Sequence, residues 1–167
     1  MGTETILLVE DNPDDAELAL LGFAKNAARN ISEFNKHRVE VMYSGEAALD
    51  FLRRQGKYSD RCPSRNPKLI LLDLKLPGIS GLQVLKEIRS LPDYRHTPVV
   101  ILTTSDEPAE MLAGYDLGVN SFLQKPVDFR AFADLLQHVS DYWLKMNLSP
   151  TSIKAHQPSE QPSYPTP

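Results

Sequence analysis

The sequence predicts an α/β fold in which five parallel strands form one doubly wound sheet with helices on both faces. Two observations predict it. Short apolar runs rich in branched residues suit strands that are buried on both faces, and amphipathic segments of helical period lie between these runs. With 41% hydrophobic and 24% charged residues in 167, the composition is that of an ordinary globular protein.

The individual elements follow from local hydrophobic period. Four strands are predicted from continuous apolar runs and one from alternation, in chain order at residues 6–9, 39–42 (the alternating one), 69–72, 99–102 and 122–123. Helices are predicted where apolar residues recur at three- and four-residue spacing, at 15–26, 45–54, 81–90, 108–117 and 128–146. Asp128 is the predicted N-cap of the last helix, and residues 55–67 read as a long loop.

The predicted domain covers residues 1–147, and residues 148–167 are predicted to be a flexible tail. Residues 149–167 contain five Pro, four Ser and two Thr, too little apolar surface to offset the entropy of ordering. The net charge of −4 argues against a nucleic-acid partner. No apolar run reaches the roughly 18 residues of a membrane span, and the N-terminus does not resemble a signal peptide, so we expect a cytoplasmic protein.

Chemically active side chains follow the predicted strands. Glu10 and Asp11 follow the first, Asp73 the third, Thr103 the fourth and Lys125 the fifth. Because parallel strands end at one edge of the sheet, these residues are expected to meet there. Three carboxylates repel one another and favour a cation, and hard oxygen ligands suit Mg²⁺. Lys125 and the Thr103 hydroxyl could then receive a phosphoryl group.

These residues lie in four motifs that resemble the receiver domain of two-component response regulators. The motifs are LVEDN at 8–12, LDLKLPG at 72–78, LTTS at 102–105 and KP at 125–126. The resemblance covers about residues 5–147 and implies the flavodoxin-like (βα)5 receiver sandwich. It also implies that Asp73 is the phosphoacceptor. Mg²⁺ would be held by Glu10, Asp11, the Asp73 carboxylate and the backbone carbonyl of Lys75. Glu10 stands where Asp is frequent in the family, and its longer arm is compatible with metal contact through water.

The same resemblance implies how the site signals. Thr103 and Phe122 would be the switch pair, Lys125 would contact the phosphoryl group, and the peptide bond between Lys125 and Pro126 would be cis. A histidine kinase would supply the phosphoryl group from a phosphohistidine. The chain would be a switch rather than an enzyme acting on a separate substrate. Because no DNA-binding or catalytic domain follows Pro150, we expect its output to pass through an unknown partner protein or through self-association.

A narrower group is similar to this chain: the stand-alone receivers paired with bacterial phytochrome-type histidine kinases. The similarity lies in FLRRQGKY at 51–58, LTTS at 102–105, YDLGVN at 115–120 and DYW at 141–143. It implies a homodimer built on the last helix and on the face of the fourth helix and fifth strand. Tyr142, Trp143, Leu144 and Met146 are candidate anchors, although Trp143 could instead fold back on the first helix.

Other classes fit the residues less well. A nucleotide hydrolase would need a G-x-x-x-x-G-K-[ST] loop, which the sequence lacks. An aspartyl-phosphate phosphohydrolase would carry an acid at the position of Lys75, and the acidic residues at 11–15 would repel a flavin phosphate. A receiver that binds partners without phosphorylation remains the alternative. Asp14 and Asp15 are predicted to stabilise the positive end of the first helix rather than to bind metal.

Overall fold

The computed structural model describes residues 4–28, 37–63 and 66–150. Strands and helices alternate through these residues. The strands are β1 (Glu4–Val9), β2 (His37–Met42), β3 (Pro67–Leu72), β4 (Val99–Thr103) and β5 (Ser121–Gln124). The helices are α1 (Pro13–Ala28), α2 (Gly45–Arg53), α3 (Gly81–Ser90), α4 (Pro108–Asp116) and α5 (Phe129–Ser140), with a 3-10 turn at Gly56–Tyr58 and a π-helical extension of α5 at Asp141–Met146. Residues 151–167, most of the predicted tail, lie outside the described residues.

The strands form one parallel sheet in the order β2-β1-β3-β4-β5, which confirms the predicted doubly wound α/β fold. The chain runs outward from β1 to β2 and then returns to the other side of β1 with β3. This reversal is the topological switch point, where α/β sheets bind ligands beyond the carboxyl ends of their strands. In this chain it lies between β1 and β3.

Alternate residues of each strand enter two separate cores. On one face of the sheet, Leu7 and Val9 of β1 pack in a core with side chains of α2 and α3. On the other face, Ile6 and Leu8 pack in a second core with α1 and α5. Because side chains alternate along a strand, burial on both faces requires the continuous apolar runs from which the strands were predicted.

Two helix ends differ in detail from the prediction. α1 begins at Pro13, two residues early, because the Asn12 side chain accepts from the backbone N–H groups of Asp14 and Asp15, at 2.9 and 3.4 Å, and thereby caps the helix. The long last helix changes from α to π geometry after Ser140. None of the helices in the described part of the chain is long and apolar enough to span a membrane.

The π-helical extension carries the apolar residues of the last turns. Trp143 and Leu144 pack, partly buried, against the core on the α1 and α5 side of the sheet. Tyr142 and Met146 are exposed by 50% and 70%. Trp143 is therefore partly covered by this core, whereas Tyr142 and Met146 are exposed apolar groups of the last turns.

Candidate functional site

The hydrogen-bond ladder of the sheet runs one residue beyond three strands and positions the site. The backbone N–H of Glu10 donates to Met42 (2.9 Å), that of Asp73 to Val9 (3.0 Å) and that of Lys125 to Thr103 (2.8 Å). Each of these residues follows directly after β1, β3 or β5. Their side chains therefore project from one edge of the sheet on a backbone that is fixed by the neighbouring strand.

Glu10, Asp11 and Asp73 form the acidic cluster that the sequence predicts. Each offers a carboxylate oxygen, and these oxygens lie within 4.8 Å of one another. Glu10 and Asp73 are buried, 3% and 8% exposed, whereas Asp11 is exposed to solvent. One Asp73 oxygen accepts from the backbone N–H of Lys75 at 3.1 Å, which fixes the orientation of its carboxylate.

Lys125 lies against this cluster. Its side chain is 7% exposed, and its Nζ donates to Glu10 at 2.5 Å and to Asp73 at 2.8 Å. A third carboxylate, Asp15 on α1, lies 3.1 Å from the same Nζ. The sequence prediction missed this contact because it assigned Asp15 to helix stabilisation alone. No local pattern marks this contact, because Lys125 lies 110 residues away in sequence.

Burial and ion pairing act against each other at this site. Burial raises the pKa of Glu10 above its ordinary value, although the hydrogen bond from Lys125 opposes the rise. Burial alone would lower the pKa of Lys125, but its hydrogen bonds to Asp73 and Glu10 outweigh that effect and raise it. Lys125 is therefore charged at every physiological pH, and its single charge does not balance the surrounding carboxylates.

The donor set fits a divalent cation. Its atoms are all carboxylate oxygens, the preferred ligands of hard cations such as Mg²⁺. Three carboxylates lie together here against the single ammonium of Lys125, so a divalent cation would bring the cluster closer to neutral. Glu10, Asp11 and Asp73 are thus the residues of the described chain that are placed to hold such an ion.

The loop after β3 is held by two residues that the sequence prediction did not identify. Gly81, the first residue of α3, packs so closely that a Cβ atom there would lie 2.6 Å from the Cα of Leu74 and closer still to the Asp73 carbonyl oxygen. Glu46 of α2 accepts from the backbone N–H of Ile79 at 3.1 Å, across the loop. No local pattern marks these contacts, because each joins elements that are far apart in sequence.

The predicted switch pair lies on the neighbouring strands β4 and β5, with Thr103 as the last residue of β4 and Phe122 within β5. Thr103 is fully buried, and its hydroxyl accepts from the backbone N–H of Ser105 at 3.2 Å. The Ser105 hydroxyl in turn donates to Glu110, in the first turn of α4. Phe122 pairs with Ile101, two residues before Thr103, so Thr103 and Phe122 lie on one face of the sheet. The hydrogen-bonded link from Thr103 to α4 was not predicted.

One predicted feature is wrong. No peptide bond in the described chain is cis, so the bond between Lys125 and Pro126 is trans. The tertiary amide before proline makes the cis form accessible, but trans remains favoured by about 0.5–1 kcal/mol in the absence of a turn that demands cis.

Comparison with known proteins places this geometry in a family. Residues 6–137 match the response regulator receiver domain. The response regulator Rcp1 of Synechocystis sp. is 37% identical over 142 residues, which are 85% of this chain and 90% of Rcp1. Among solved structures, that of the phosphorylated cyanobacterial phytochrome response regulator RcpA has a TM-score of 0.79 and 33% identity, covering 89% of this chain and 99% of RcpA. The structure of the Mn²⁺-bound form of Rcp1 has a TM-score of 0.75 and 35% identity, and the match covers 88% of this chain and 99% of Rcp1 in that structure.

The chain belongs to the response regulator receiver domain family. It is a signalling protein of the phosphorylation-based two-component type, and its partner is a histidine kinase. Receiver domains bind Mg²⁺ or Mn²⁺ at an acidic site, and the described chain has an acidic cluster at the carboxyl edge of its sheet.

Proposed function

We propose that Asp73 accepts a phosphoryl group from the phosphohistidine of the partner kinase. An Asp73 oxygen attacks phosphorus, a new P–O bond forms, and the P–N bond breaks with its electron pair returning to the imidazole ring. The observation that carries the proposal is the Asp73 carboxylate itself, which is hydrogen-bonded on one oxygen by Lys125 and on the other by the Lys75 backbone. Positioning and charge compensation of this kind are the main needs of phosphoryl transfer.

Within this proposal, Lys125 donates to the phosphoryl oxygens and Thr103 donates its hydroxyl to them after transfer. Glu10, Asp11, Asp73 and the Lys75 carbonyl hold Mg²⁺. When bound, Mg²⁺ supplies the positive charge that Lys125 alone does not provide. The Mn²⁺-bound form of the similar protein Rcp1 supports a divalent cation here, and the all-oxygen donor set supports Mg²⁺.

Signalling follows from the link between Thr103 and α4. Ser105 donates its backbone N–H to the Thr103 hydroxyl and its own hydroxyl to Glu110. A Thr103 hydroxyl drawn toward the phosphoryl group leaves Ser105 without that acceptor, while Phe122 turns inward. The consequence is a shift in a pre-existing equilibrium of the α4 face. The chain is thus a switch with no separate substrate, and the intact set of site residues disfavours a receiver that works without phosphorylation.

The central test is labelling with acetyl phosphate and Mg²⁺, read by intact-protein mass spectrometry. We expect the wild-type chain to gain one phosphoryl group and Asp73→Asn to gain none. Asp50→Asn, at an exposed position on α2, is the matched control and should label like wild type. A phosphoryl group on another residue of Asp73→Asn would contradict the assignment of Asp73.

The metal assignment has its own test, a calorimetric Mg²⁺ titration. Asp11→Asn removes one ligand and should weaken Mg²⁺ binding at least tenfold, whereas Asp14→Asn, also exposed and three residues away, should not. In the absence of Mg²⁺, Asp11→Asn should be slightly more stable because carboxylate repulsion is relieved. Equal Mg²⁺ affinity in both variants would contradict the site.

We infer that the kinase partner is of the phytochrome type. The similar structure of RcpA is that of a phytochrome response regulator, and the chain spans 99% of it. Purified histidine kinases, phytochrome-type and others, can be autophosphorylated with ATP and compared for transfer to this chain. Transfer should be fastest from a phytochrome-type kinase and absent with Asp73→Asn. Faster transfer from an unrelated kinase would contradict the inference.

We also propose a homodimer that uses the last turns and the α4 and β5 face. The exposed apolar groups of these regions include Tyr142 (50%), Met146 (70%), Leu112 (64%) and Tyr115 (50%). Apolar groups of this size suit an interface with a second copy. Sedimentation at micromolar concentration should show a dimer for wild type and a monomer for the double variant Tyr142→Ser with Met146→Ser. A wild-type monomer, with and without phosphorylation, would contradict the dimer.

The division into a receiver at 1–147 and a flexible tail at 148–167 is likewise a proposal, supported by the composition of the tail. A chain that ends at residue 150 should unfold at the same urea concentration as the full chain and accept the same phosphoryl label. Loss of stability in the shortened chain would contradict the division.

A further inference from the structure

Among the residues that the structure describes, Asp15 is the one carboxylate that contacts Lys125 without belonging to the acidic cluster. The Lys125 ammonium has three N–H donors, and it lies within 3.1 Å of Glu10, Asp73 and Asp15. Glu10 and Asp73 belong to the cluster placed to hold a divalent cation, and Asp15 does not. Asp15 is also the most exposed of the three partners, with 34% of its side chain accessible, against 4% for Glu10 and 9% for Asp73.

Glu10 and Asp73, the other two partners of Lys125, also belong to the cluster that would hold the cation. A cation at the acidic cluster draws on carboxylate oxygens of Glu10 and Asp73, the same groups that accept from Lys125. Phosphorylation then converts one Asp73 oxygen into an acyl phosphate oxygen. Because lysine carries its charge on a flexible four-carbon stem, an ammonium that shares two of its three carboxylate partners has many other positions available to it until phosphoryl oxygens can accept from it.

Asp15 is held where it can limit that freedom. It is the third residue of α1, and its backbone N–H, like that of Asp14, is directed at the capping side chain of Asn12. The next residue, Ala16, is fully buried in the core between the sheet and α5. The Asp15 carboxylate therefore stands on a fixed helix end beside Lys125.

We propose that Asp15 is a positioning residue that keeps the Lys125 ammonium beside Asp73 when the cation and the phosphoryl group engage the other two carboxylates. The inference rests on the proposed function and deepens it. Asp15 acts through Lys125 and does not itself touch the reacting atoms.

The competing explanation is that Asp15 only stabilises the positive end of α1. Asp14 separates the two explanations. It lies in the same first turn, carries the same charge and is exposed, and it is not among the three carboxylates that contact Lys125. If Asp15 only stabilises the helix end, Asp14→Ala and Asp15→Ala should have the same effect on Lys125 and on phosphorylation. If Asp15 positions Lys125, only Asp15→Ala should affect them.

The decisive measurement is nuclear magnetic resonance of full-length protein labelled with ¹⁵N-lysine. A buried, hydrogen-bonded ammonium exchanges its protons slowly, so Lys125 should give a resolved ¹⁵Nζ signal, assigned by its absence in Lys125→Arg. In saturating Mg²⁺ this signal should persist in wild type and Asp14→Ala and be lost to fast exchange in Asp15→Ala. Asp15→Glu, which keeps the charge, should restore it.

The second measurement is the rate of labelling by acetyl phosphate at saturating Mg²⁺. We expect Asp15→Ala to be labelled about fivefold more slowly than Asp14→Ala, the effect of losing one partly exposed ion pair, with Mg²⁺ affinity within twofold. Equal signals and equal rates for the two variants would overturn the inference and leave the proposed function intact. If the wild-type chain were not labelled at all, the proposed function would fail, and the Lys125 signal in Mg²⁺ would still decide the role of Asp15.

Discussion

Replacing Lys125 with Met is the most informative single perturbation of the site. Met has nearly the same length but no charge, so the variant keeps the packing of the side chain and removes only the ammonium. The carboxylates of Glu10 and Asp73 then remain buried without their partner. Removal of one member of a buried ion pair is costly because it leaves the other member desolvated and unpaired.

The size of the effect follows from distances and burial. At an effective dielectric constant of about 20, opposite unit charges roughly 3 Å apart attract by about 5–6 kcal/mol. Desolvation of the ammonium opposes this by several kcal/mol, and measured losses on breaking such pairs are about 3–5 kcal/mol. Asp11 and Asp15 face solvent in part, so we expect the free energy of unfolding to fall by about 3 kcal/mol, the lower end of that range.

Mg²⁺ should reverse about a third of this loss. Without the ammonium, the carboxylates hold more uncompensated charge and bind a cation more tightly, so added Mg²⁺ should stabilise Lys125→Met by about 1 kcal/mol more than it stabilises wild type. The assay is urea unfolding followed by circular dichroism, in EDTA and in 10-fold steps of Mg²⁺. Lys86→Met, at an exposed position on α3, is the matched control and should change stability by less than about 0.5 kcal/mol.

Two results would refute this reasoning. A loss below about 1 kcal/mol in EDTA would mean that Lys125 behaves as an exposed surface charge. A Mg²⁺ response in Lys125→Met smaller than that of wild type would mean that the ammonium does not share its carboxylates with the cation site.

Three further changes, two at the site and one at the opposite edge of the sheet, can be tested by urea unfolding. Because burial raises the pKa of Glu10 above 4.5, the folded protein retains a proton that the unfolded chain has released. Stability of the metal-free protein should therefore fall as pH rises from about 4.5 through the raised pKa, and Glu10→Gln should flatten this fall; an equal slope in both proteins would contradict it. Gly81→Ala places a Cβ atom against the backbone of Asp73, so it should cost about 1–3 kcal/mol and slow phosphorylation; a neutral effect would show that the loop yields freely. Arg89→Met removes hydrogen bonds to Gly118 and Asn120 and should cost about 2 kcal/mol, whereas a loss similar to that of Lys86→Met would show that these bonds contribute nothing.

Local sequence pattern was sufficient for the fold. β1, β3 and β4 are continuous apolar runs because both faces of the sheet are covered, and this burial is visible residue by residue in the chain. The rule that parallel strands end at one edge of the sheet also predicts that Glu10, Asp73 and Lys125 lie together. The acidic cluster was predictable for the same reason, since its members directly follow strands.

The hydrophobic pattern of the sequence predicted the helix ends and the side-chain environments less well. The change from α to π geometry after Ser140 and the partial burial of Trp143 depend on how the last turns pack against the core beside α1. The apolar residues of those turns were visible in the sequence. Which of them face the protein and which face solvent is set by the local helical geometry, which hydrophobic period alone does not specify.

The sequence by itself determined which residues form strands, in what class of sheet they lie and which carboxylates meet at its edge, because each of these depends on short-range period or on strand direction. Only the tertiary structure decided that Asp15 meets Lys125, 110 residues away, and that Glu46 accepts from the backbone N–H of Ile79, 33 residues away. Such contacts form when helices settle against particular strands to within an ångström. These contacts are determined by how entire helices pack on the faces of the sheet, so they cannot be predicted from a short segment of the chain.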